Sequence, residues 1–165
     1  MILTGSEILK LISENNLVEN YSHISQVQPA GFDVTLASIK TIHAETQMPL
    51  HFSNAKSIWQ HDFEEVEIDQ GPIYAMKPYV FKTNEKFNMP INVSAFVLPR
   101  SSLTRMGIVF SGGLVDAGYM GDLSFSVLSP LPIQFKKGQK FAQVVFFKHD
   151  STFKYTGQYQ APEAI

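Results

Sequence analysis

The sequence contains no cysteine among its 165 residues. Without a thiol the chain has no disulfide, no thiolate nucleophile and no cysteine-bound zinc, and it is compatible with a reducing compartment. The histidines show neither an i, i+4 pair with a glutamate nor ligand spacing, so we expect no histidine metal site. They are His23, His43, His51, His61 and His149.

Charge is also scarce. Only 17% of the residues are charged, the formal net charge is −2 and the pI is near 6.2. These values exclude a broad basic surface, so we expect no nucleic acid partner, although a small anion can still find a local positive pocket. A hydrophobic content of 44% at this length is typical of one globular domain, here residues 1–165.

Long apolar runs are missing as well. No stretch approaches the roughly 20 residues of a membrane span, and the first residues lack the basic and apolar segments of a secretion signal. We therefore expect no membrane partner and a cytoplasmic location.

The remaining pattern is one short helix followed by many short strands. Thr4 or Ser6 can cap a helix within residues 1–18, where apolar residues from Ile8 to Ile12 recur at helical spacing. From residue 27 onward, runs rich in Val, Ile, Phe and Tyr alternate with turn formers, which is typical of an all-β sandwich or barrel. The predicted strands are residues 32–42, 66–68, 73–76, 79–83, 92–98, 108–110, 114–116, 122–128, 133–135 and 143–148.

Two segments do not fit this alternation. Residues 43–65 are the least periodic stretch, which indicates an excursion of the chain away from the sheet, or a hairpin. Such a segment would serve as a lid or be merely an insertion. The tail, residues 152–165, carries aromatic residues that are unusual in a free terminus, including Tyr155 and Tyr159. We expect the tail to pack on its own domain, or to close over a ligand or a neighbouring subunit.

Two polar clusters interrupt the apolar runs between residues 96 and 125. Guanidinium groups, hydroxyls and N–H groups freed by nearby glycines suit a polyphosphate, whose oxygens take charge-assisted and bidentate donors. A carboxylate in a Gly-rich turn can orient a water or a hydrated metal against that phosphate. Either cluster alone is also compatible with a capped turn or a β-hairpin with ordinary salt bridges. The first cluster contains Arg100, Ser101, Ser102 and Arg105, and the second contains Asp116 and Tyr119.

Four segments together resemble the motifs of the dUTPase and dCTP deaminase superfamily, in the superfamily's order. They are residues 28–36 (QPAGFDVTL), 99–107 (PRSSLTRMG), 113–121 (GLVDAGYMG) and 137–143 (KGQKFAQ). The N-terminal helix and the ending at residues 157–160 resemble the deaminase-like branch, which includes archaeal dUTPases and bifunctional enzymes. The resemblance implies a distorted, jelly-roll-like β-barrel.

The same resemblance implies a dUTP diphosphatase that releases dUMP and pyrophosphate. Asp116 would activate the water that attacks the α-phosphate, and Tyr119 would lie against the deoxyribose and exclude a 2′-hydroxyl. Asp33 would hold a water network beside the metal, or an arginine. The phosphates would be bound by Arg100, Ser101, Ser102, Arg105 and Gln143.

The same resemblance implies how the uracil and the cofactor would be bound. The superfamily's trimeric dUTPases end in an Arg- and Gly-rich arm that this chain lacks, so Phe153, Tyr155 or Tyr159 would cover the base instead. Mg²⁺ would bind through the substrate phosphates without a direct protein ligand, and the implied assembly is a homotrimer with sites at subunit contacts. Backbone groups at Gly112, Gly113 and Leu114 would read the uracil.

Deamination of dCTP, alone or in a bifunctional enzyme, is the alternative activity. Deaminases of this superfamily carry a glutamate five residues after the last glycine of the third motif, and here that position is Ser126. A hydroxyl does not exchange protons near neutral pH, which disfavours deamination. A nucleotide-binding regulatory protein is a further alternative. Asp116 favours catalysis over this alternative. A carboxylate repels a bound polyphosphate, so its presence is easier to explain by a catalytic role than by binding alone.

Overall fold

The computed structural model describes residues 1–42, 63–68, 71–157 and 159–160. Residues 43–62 of the predicted excursion thus lie outside the described part. No helix within these ranges is long and apolar enough to cross a lipid bilayer. The elements are α1 (Gly5–Asn15), β1 (Val18–Glu19), a 3-10 turn (Ile24–Gln26), β2 (Val27–Gln28), β3 (Gly31–Ile42), β4 (Phe63–Val66), β5 (Pro78–Asn88), β6 (Val93–Pro99), α2 (Ser101–Arg105), β7 (Val109–Ser111), β8 (Leu114–Val115), β9 (Met120–Leu128) and β10 (Lys140–Lys148).

Helix α1 begins with a reciprocal cap. The Thr4 hydroxyl oxygen accepts a hydrogen bond from the Glu7 N–H at 3.4 Å, and the Glu7 carboxylate accepts one from the Thr4 N–H at 2.8 Å. Ile8 and Ile12 are buried in the core. Asn16 ends the helix in the left-handed conformation, with φ 51°. The predicted N-terminal helix is confirmed.

The described strands form one curled sheet with the path β7-β9-β5-β3-β10-β6-β8. β3 joins one half of the sheet, β7, β9 and β5, to the other half, β10, β6 and β8. Its residues 36–41 pair with β5, whereas its residues 32–35 pair with β10. The register between β3 and β5 shifts between Leu36 and Ser38. A bulge of this kind bends a strand and increases its twist, which curls the sheet around the side chains on its inner face.

Aromatic side chains fill the space inside the curl. Phe81 packs edge to face against Phe135 at 4.8 Å and against Phe141 at 5.6 Å between ring centroids. Burying each such side chain contributes about 1.5–3 kcal/mol relative to leaving it exposed. The predicted mainly β, barrel-like fold is confirmed as a curled, half-barrel sheet.

Three of the predicted strands differ from those observed. Residues 73–76 and 133–135 contribute only an isolated bridge between Ile73 and Ile133. Pro72 and Pro132 precede the two bridge residues and donate no hydrogen bond to a ladder, while Met76 takes a left-handed turn with φ 59°. The strand predicted at 66–68 instead covers Phe63–Val66. Helix α2, at the second motif, was not predicted.

Candidate active site

The first polar cluster lies where β6 ends and α2 begins. The Arg100 N–H donates to the Phe141 carbonyl of β10 at 3.1 Å, which anchors this junction to the sheet. Ser101 and Ser102 are exposed in the first turn of α2. Backbone N–H groups in a first turn have no acceptor within their helix. The Leu103 N–H already donates to the Arg100 carbonyl at 2.9 Å, so the hydroxyls and the N–H groups of Ser101 and Ser102 are what this turn offers to a polyphosphate.

Arg100 and Arg105 flank this turn, and both side chains are exposed. Neither guanidinium forms an ion pair with a carboxylate in the described ranges. A phosphate that binds either group in bidentate fashion therefore has no internal salt bridge to displace there.

Strand register places the first and fourth motifs beside the second. Gln143 of β10 is opposite Asp33 of β3 on one side and opposite Leu98 of β6 on the other. Side chains opposite one another in a sheet share a face, so Asp33 and Gln143 lie together. The register therefore brings Asp33 and Gln143 next to the end of β6 that leads into Arg100 and Ser101.

Asp33 is buried and paired with a lysine. Its side chain lies 3.2 Å from Lys140 Nζ, and that ammonium also donates to the Ser25 carbonyl at 3.1 Å. The resemblance had implied an arginine or a water network beside the metal as the partner of this carboxylate. Contact between Asp33 and a hydrated metal ion would compete with the lysine ion pair.

Glu85 is a polar core residue that the sequence analysis missed. It is 0% exposed, and its carboxylate accepts hydrogen bonds from the Thr35 N–H at 2.9 Å, the Thr35 hydroxyl at 2.6 Å and Gln26 Nε2 at 2.7 Å. Gln26 Nε2 also donates to the Asp33 carbonyl at 2.9 Å. Because every donor is neutral, the network orients the strand that carries Asp33 without an ion pair. Odd-numbered residues of β5, including Phe81 and Glu85, point inward. This alternation is the sequence pattern from which the burial of Glu85 could have been predicted.

The second polar cluster follows β8. Asp116 is exposed, and its carbonyl accepts the Tyr119 N–H at 3.2 Å to close a turn. The Tyr119 hydroxyl donates to the Asp122 carbonyl at 2.5 Å. Burial raises the pKa of Tyr119 to about 12, and the Asp122 and Tyr155 side chains add to the effect. The hydroxyl therefore remains a donor at neutral pH.

The tail packs against this turn of its own chain. The Tyr155 N–H donates to the Ala117 carbonyl at 2.9 Å, and the Tyr155 and Tyr119 rings meet edge to face with centroids 5.7 Å apart. Phe153, by contrast, is 89% exposed. Tyr155 thus contacts the third motif, and Tyr119 packs against the tail through its ring.

Gln160 makes a second contact between the tail and the turn. Its Nε2 donates to the Gly118 carbonyl at 3.1 Å, and its Oε1 accepts the Met120 N–H at 3.1 Å. Tyr159, like Phe153 and Tyr155 a tail residue predicted to cover the base, is 49% exposed. Residues 155 and 160 therefore hold the loop that carries Asp116 from two sides.

β8 lies at an end of the described sheet path and exposes backbone groups there. The Val97 N–H of β6 donates to the Gly113 carbonyl at 3.2 Å, and Leu114 is opposite Phe96. Hydrogen-bonded and non-hydrogen-bonded positions alternate in antiparallel pairs, so the N–H and C=O of Leu114 point away from β6. A Cβ on Gly112 would lie 2.0 Å from the Val97 carbonyl oxygen, so only glycine allows this approach.

The two polar clusters are far apart within one chain. Val115, the last residue of β8, is opposite Ala95 near the start of β6, and Asp116 follows it directly. Ser101 follows the other end of β6, after Pro99. The four steps from Ala95 to Pro99 alone span about 13 Å at about 3.3–3.4 Å per residue. One chain therefore does not bring Asp116 to the phosphate-binding turn.

The position that distinguishes the two candidate activities carries no carboxylate. Ser126 of β9 is exposed and lies opposite Val80 of β5 and Ser111 of β7. The residues beside it in register are thus apolar or hydroxylic. No paired side chain replaces the missing glutamate.

Comparison with known proteins identifies the class. Residues 2–149 match the family described as dCTP deaminase-like. A probable deoxyuridine 5′-triphosphate nucleotidohydrolase of Methanosarcina mazei is 31% identical, with 96% of each chain covered. A "dCTP deaminase, dUMP-forming" of a Sulfurihydrogenibium species is 33% identical, with 97% of this chain and 92% of that protein covered.

Solved structures agree with the sequence relatives. The 2′-deoxycytidine 5′-triphosphate deaminase of Agrobacterium tumefaciens superimposes with a TM-score of 0.72 at 25% identity over 88% of this chain. This chain spans about half, 48%, of that longer chain. The protein therefore belongs to the dCTP deaminase-like family, within the dUTPase and dCTP deaminase superfamily of nucleotide-metabolising enzymes. The superfamily predicted from the four motifs is confirmed.

Proposed function

We propose that the protein is a dUTP diphosphatase that hydrolyses dUTP to dUMP and pyrophosphate. The observation that carries the proposal is a pair of positions: Asp116 supplies an exposed carboxylate in the third motif, whereas Ser126 and its register neighbours supply none where a deaminase needs one. Water activation needs a proton acceptor, which Asp116 provides.

The reaction follows from the chemistry of these groups. Asp116 accepts a proton from a water molecule as the water oxygen bonds to the α-phosphorus. The bond from the α-phosphorus to the oxygen bridging the α- and β-phosphates breaks, and pyrophosphate leaves with that oxygen. Arg100, Arg105 and the hydroxyl of Ser101 stabilise the negative charge on the phosphate oxygens.

Assembly completes this site. Because the strand between the two clusters spans about 13 Å or more in one chain, a second copy brings its Asp116 to the phosphate-binding turn of the first. The outer face of the sheet half formed by β10, β6 and β8 suits such a contact. Three apolar side chains on it, Phe96, Leu98 and Leu114, are 47%, 50% and 55% exposed. We propose a homotrimer in which each copy donates Asp116 to a neighbour.

The base and the sugar are assigned to the third motif. The outward N–H and C=O of Leu114, beside Gly112 and Gly113, offer one donor and one acceptor to the pyrimidine edge. The Tyr119 ring, held against Tyr155, forms a rigid wall for a deoxyribose without a 2′-hydroxyl.

Mg²⁺ is the proposed cofactor, bound to the nucleotide phosphates. When bound there it neutralises phosphate charge and orients the triphosphate. The exposed carboxylate of Asp116 fits this ion, because it can accept hydrogen bonds from metal-bound waters. Asp33 is the less accessible candidate, because Lys140 already occupies one side of it.

The test is an assay of the purified protein with Mg²⁺ and dUTP, dCTP or UTP in separate reactions, with products resolved by chromatography. We expect dUMP and pyrophosphate from dUTP alone. Formation of dUTP or dUMP from dCTP would instead establish the deaminase or bifunctional alternative, which the dUMP-forming relative supports. Tight nucleotide binding without any product would indicate the regulatory alternative.

A further inference from the structure

Lys140 carries an ammonium group that two acceptors hold in place. Its Nζ lies 3.2 Å from Oδ2 of Asp33 and donates a hydrogen bond to the Ser25 carbonyl at 3.1 Å. In the part of the chain that the structure describes, these are the acceptors that the ammonium contacts, and the side chain is 30% exposed. Because an ammonium has three N–H donors, one donor remains for a ligand that arrives from solvent.

A buried glutamine in the 3-10 turn fixes both of these acceptors. Gln26 is 1% exposed, and its Nε2 donates to the Asp33 carbonyl at 2.9 Å and to the Glu85 carboxylate at 2.7 Å. Its Oε1 accepts two backbone N–H groups of the preceding loop at 2.8 and 3.2 Å. Ser25 directly precedes Gln26, so its carbonyl is fixed relative to Asp33. The ammonium of Lys140 is therefore oriented before a ligand binds.

The same lysine lies where β3 and β10 reach the phosphate-binding turn. Lys140 directly precedes Phe141, whose carbonyl accepts the Arg100 N–H at 3.1 Å. Gln143, three residues further along β10, is opposite Asp33 of β3 on one side and pairs with β6 on the other. Residues of the first, second and fourth motifs thus surround Lys140.

The charge at this place would oppose a polyphosphate without the lysine. The Asp33 side chain is 7% exposed and carries a carboxylate, and two neighbouring anions repel one another. Lys140 offsets this repulsion through its ion pair with Asp33. Its remaining N–H can donate to a phosphate oxygen, and a lysine does so as a compact point charge that needs no bidentate geometry.

We propose that Lys140 is a phosphate-binding residue of this site, an inference that rests on the proposed function. Its third N–H donates to an oxygen of the nucleotide triphosphate, while Asp33 and the Ser25 carbonyl retain the other two. Lys140 thereby adds a cation to the fourth motif, in which the sequence analysis assigned phosphate binding to Gln143 alone.

The experiment compares the Kd values of two ligands in the presence of Mg²⁺: a non-hydrolysable dUTP analogue, and deoxyuridine, which has no phosphate. Nuclear magnetic resonance titration measures both. Lys140→Gln is expected to raise the Kd of the analogue about tenfold or more, because it removes a charge-assisted hydrogen bond, and to leave that of deoxyuridine within about twofold. Lys10→Gln is the matched control. It removes the same charge from an exposed position of α1 and should change neither Kd.

Lys140→Arg separates phosphate binding from support of the fold. Arginine restores the charge and the donors, so the Kd of the analogue should return to within a few fold of the wild-type value. Wild-type affinity for the analogue in Lys140→Gln, or an equal loss of affinity for both ligands, would overturn the proposal. Binding of the analogue that depends on Lys140, in a protein that does not hydrolyse dUTP, would support the role of Lys140 and refute the proposed function.

Discussion

Asp116 and Ser101 lie at opposite ends of one strand, β6, although both are placed in one active site. Asp116 follows Val115, which pairs with Ala95 near the start of the strand, and Ser101 follows Pro99, where the strand ends. Under the proposed function, the base and the phosphate-binding turn of each site therefore come from different copies of the chain.

Mixed trimers test this requirement. Asp116→Asn and Ser101→Ala are each expected to be nearly inactive when assayed alone. After equimolar unfolding and refolding together, random assembly should restore about a quarter of the wild-type activity, because that fraction of sites combines an intact Ser101 with an intact neighbouring Asp116. Each variant refolded by itself is the control. Absence of restored activity in trimers shown to be mixed would place both residues in the same chain's site.

Asp116→Asn alone should separate binding from chemistry. The amide keeps the size of the side chain but cannot accept the proton of water, so kcat should fall about 100-fold or more. The affinity for a non-hydrolysable dUTP analogue should stay within a few fold, measured by calorimetry. An unchanged kcat would remove Asp116 from the role of base.

Gly112 and Gly113 offer a matched pair of substitutions for stability. A Cβ on Gly112 would meet the Val97 carbonyl oxygen at 2.0 Å, whereas a Cβ on Gly113 meets no atom within 4 Å. Gly112→Ala should therefore push β8 away from β6 and cost about 1–3 kcal/mol, and Gly113→Ala should cost much less. Thermal unfolding monitored by circular dichroism measures both. Equal losses of stability would show that the contact between Gly112 and β6 is not formed.

The tail should stabilise the loop that carries Asp116 and Tyr119. Tyr155→Ala removes the ring contact at 5.7 Å, so we expect faster amide hydrogen exchange at residues 117–120 and a higher KM for dUTP. Phe153→Ala removes a side chain that is 89% exposed and should leave the exchange rates unchanged. If Tyr155→Ala exchanged at the wild-type rate, the tail would have no part in ordering this loop.

The Glu7 cap should make helix α1 sensitive to acid. Hydrogen bonds from the Thr4 backbone, and then from the Thr4 hydroxyl, lower the pKa of Glu7 below its usual 4.5. A lowered folded-state pKa adds stability above about pH 4.5, and this stability is lost as the pH falls through the lowered value. The Tm of Glu7→Gln should thus fall below that of the wild type at pH 7, with the difference shrinking below about pH 4. Glu14→Gln, which removes a charge near the other end of the helix, should show no such convergence.

Much of the fold was predictable because its signals are local. Alternating apolar residues identified the long strands, and Thr4 with the helical apolar spacing identified α1. The bridge at Ile73 and Ile133 was predicted as two strands because apolar content alone does not reveal which backbone groups find partners. Helix α2 was missed because five residues are too few to show helical periodicity.

Residue identities were enough to predict the superfamily, the chemical groups available to a polyphosphate and the serine at the position of the deaminase glutamate. Each of these depends on residue identity at a fixed distance along the chain. Folding is what brings Asp33 and Gln143 beside the end of β6, places Glu85 against β3 and separates Asp116 from Ser101. Strand order and register arise from long-range pairing and packing, which a local pattern of residues does not specify.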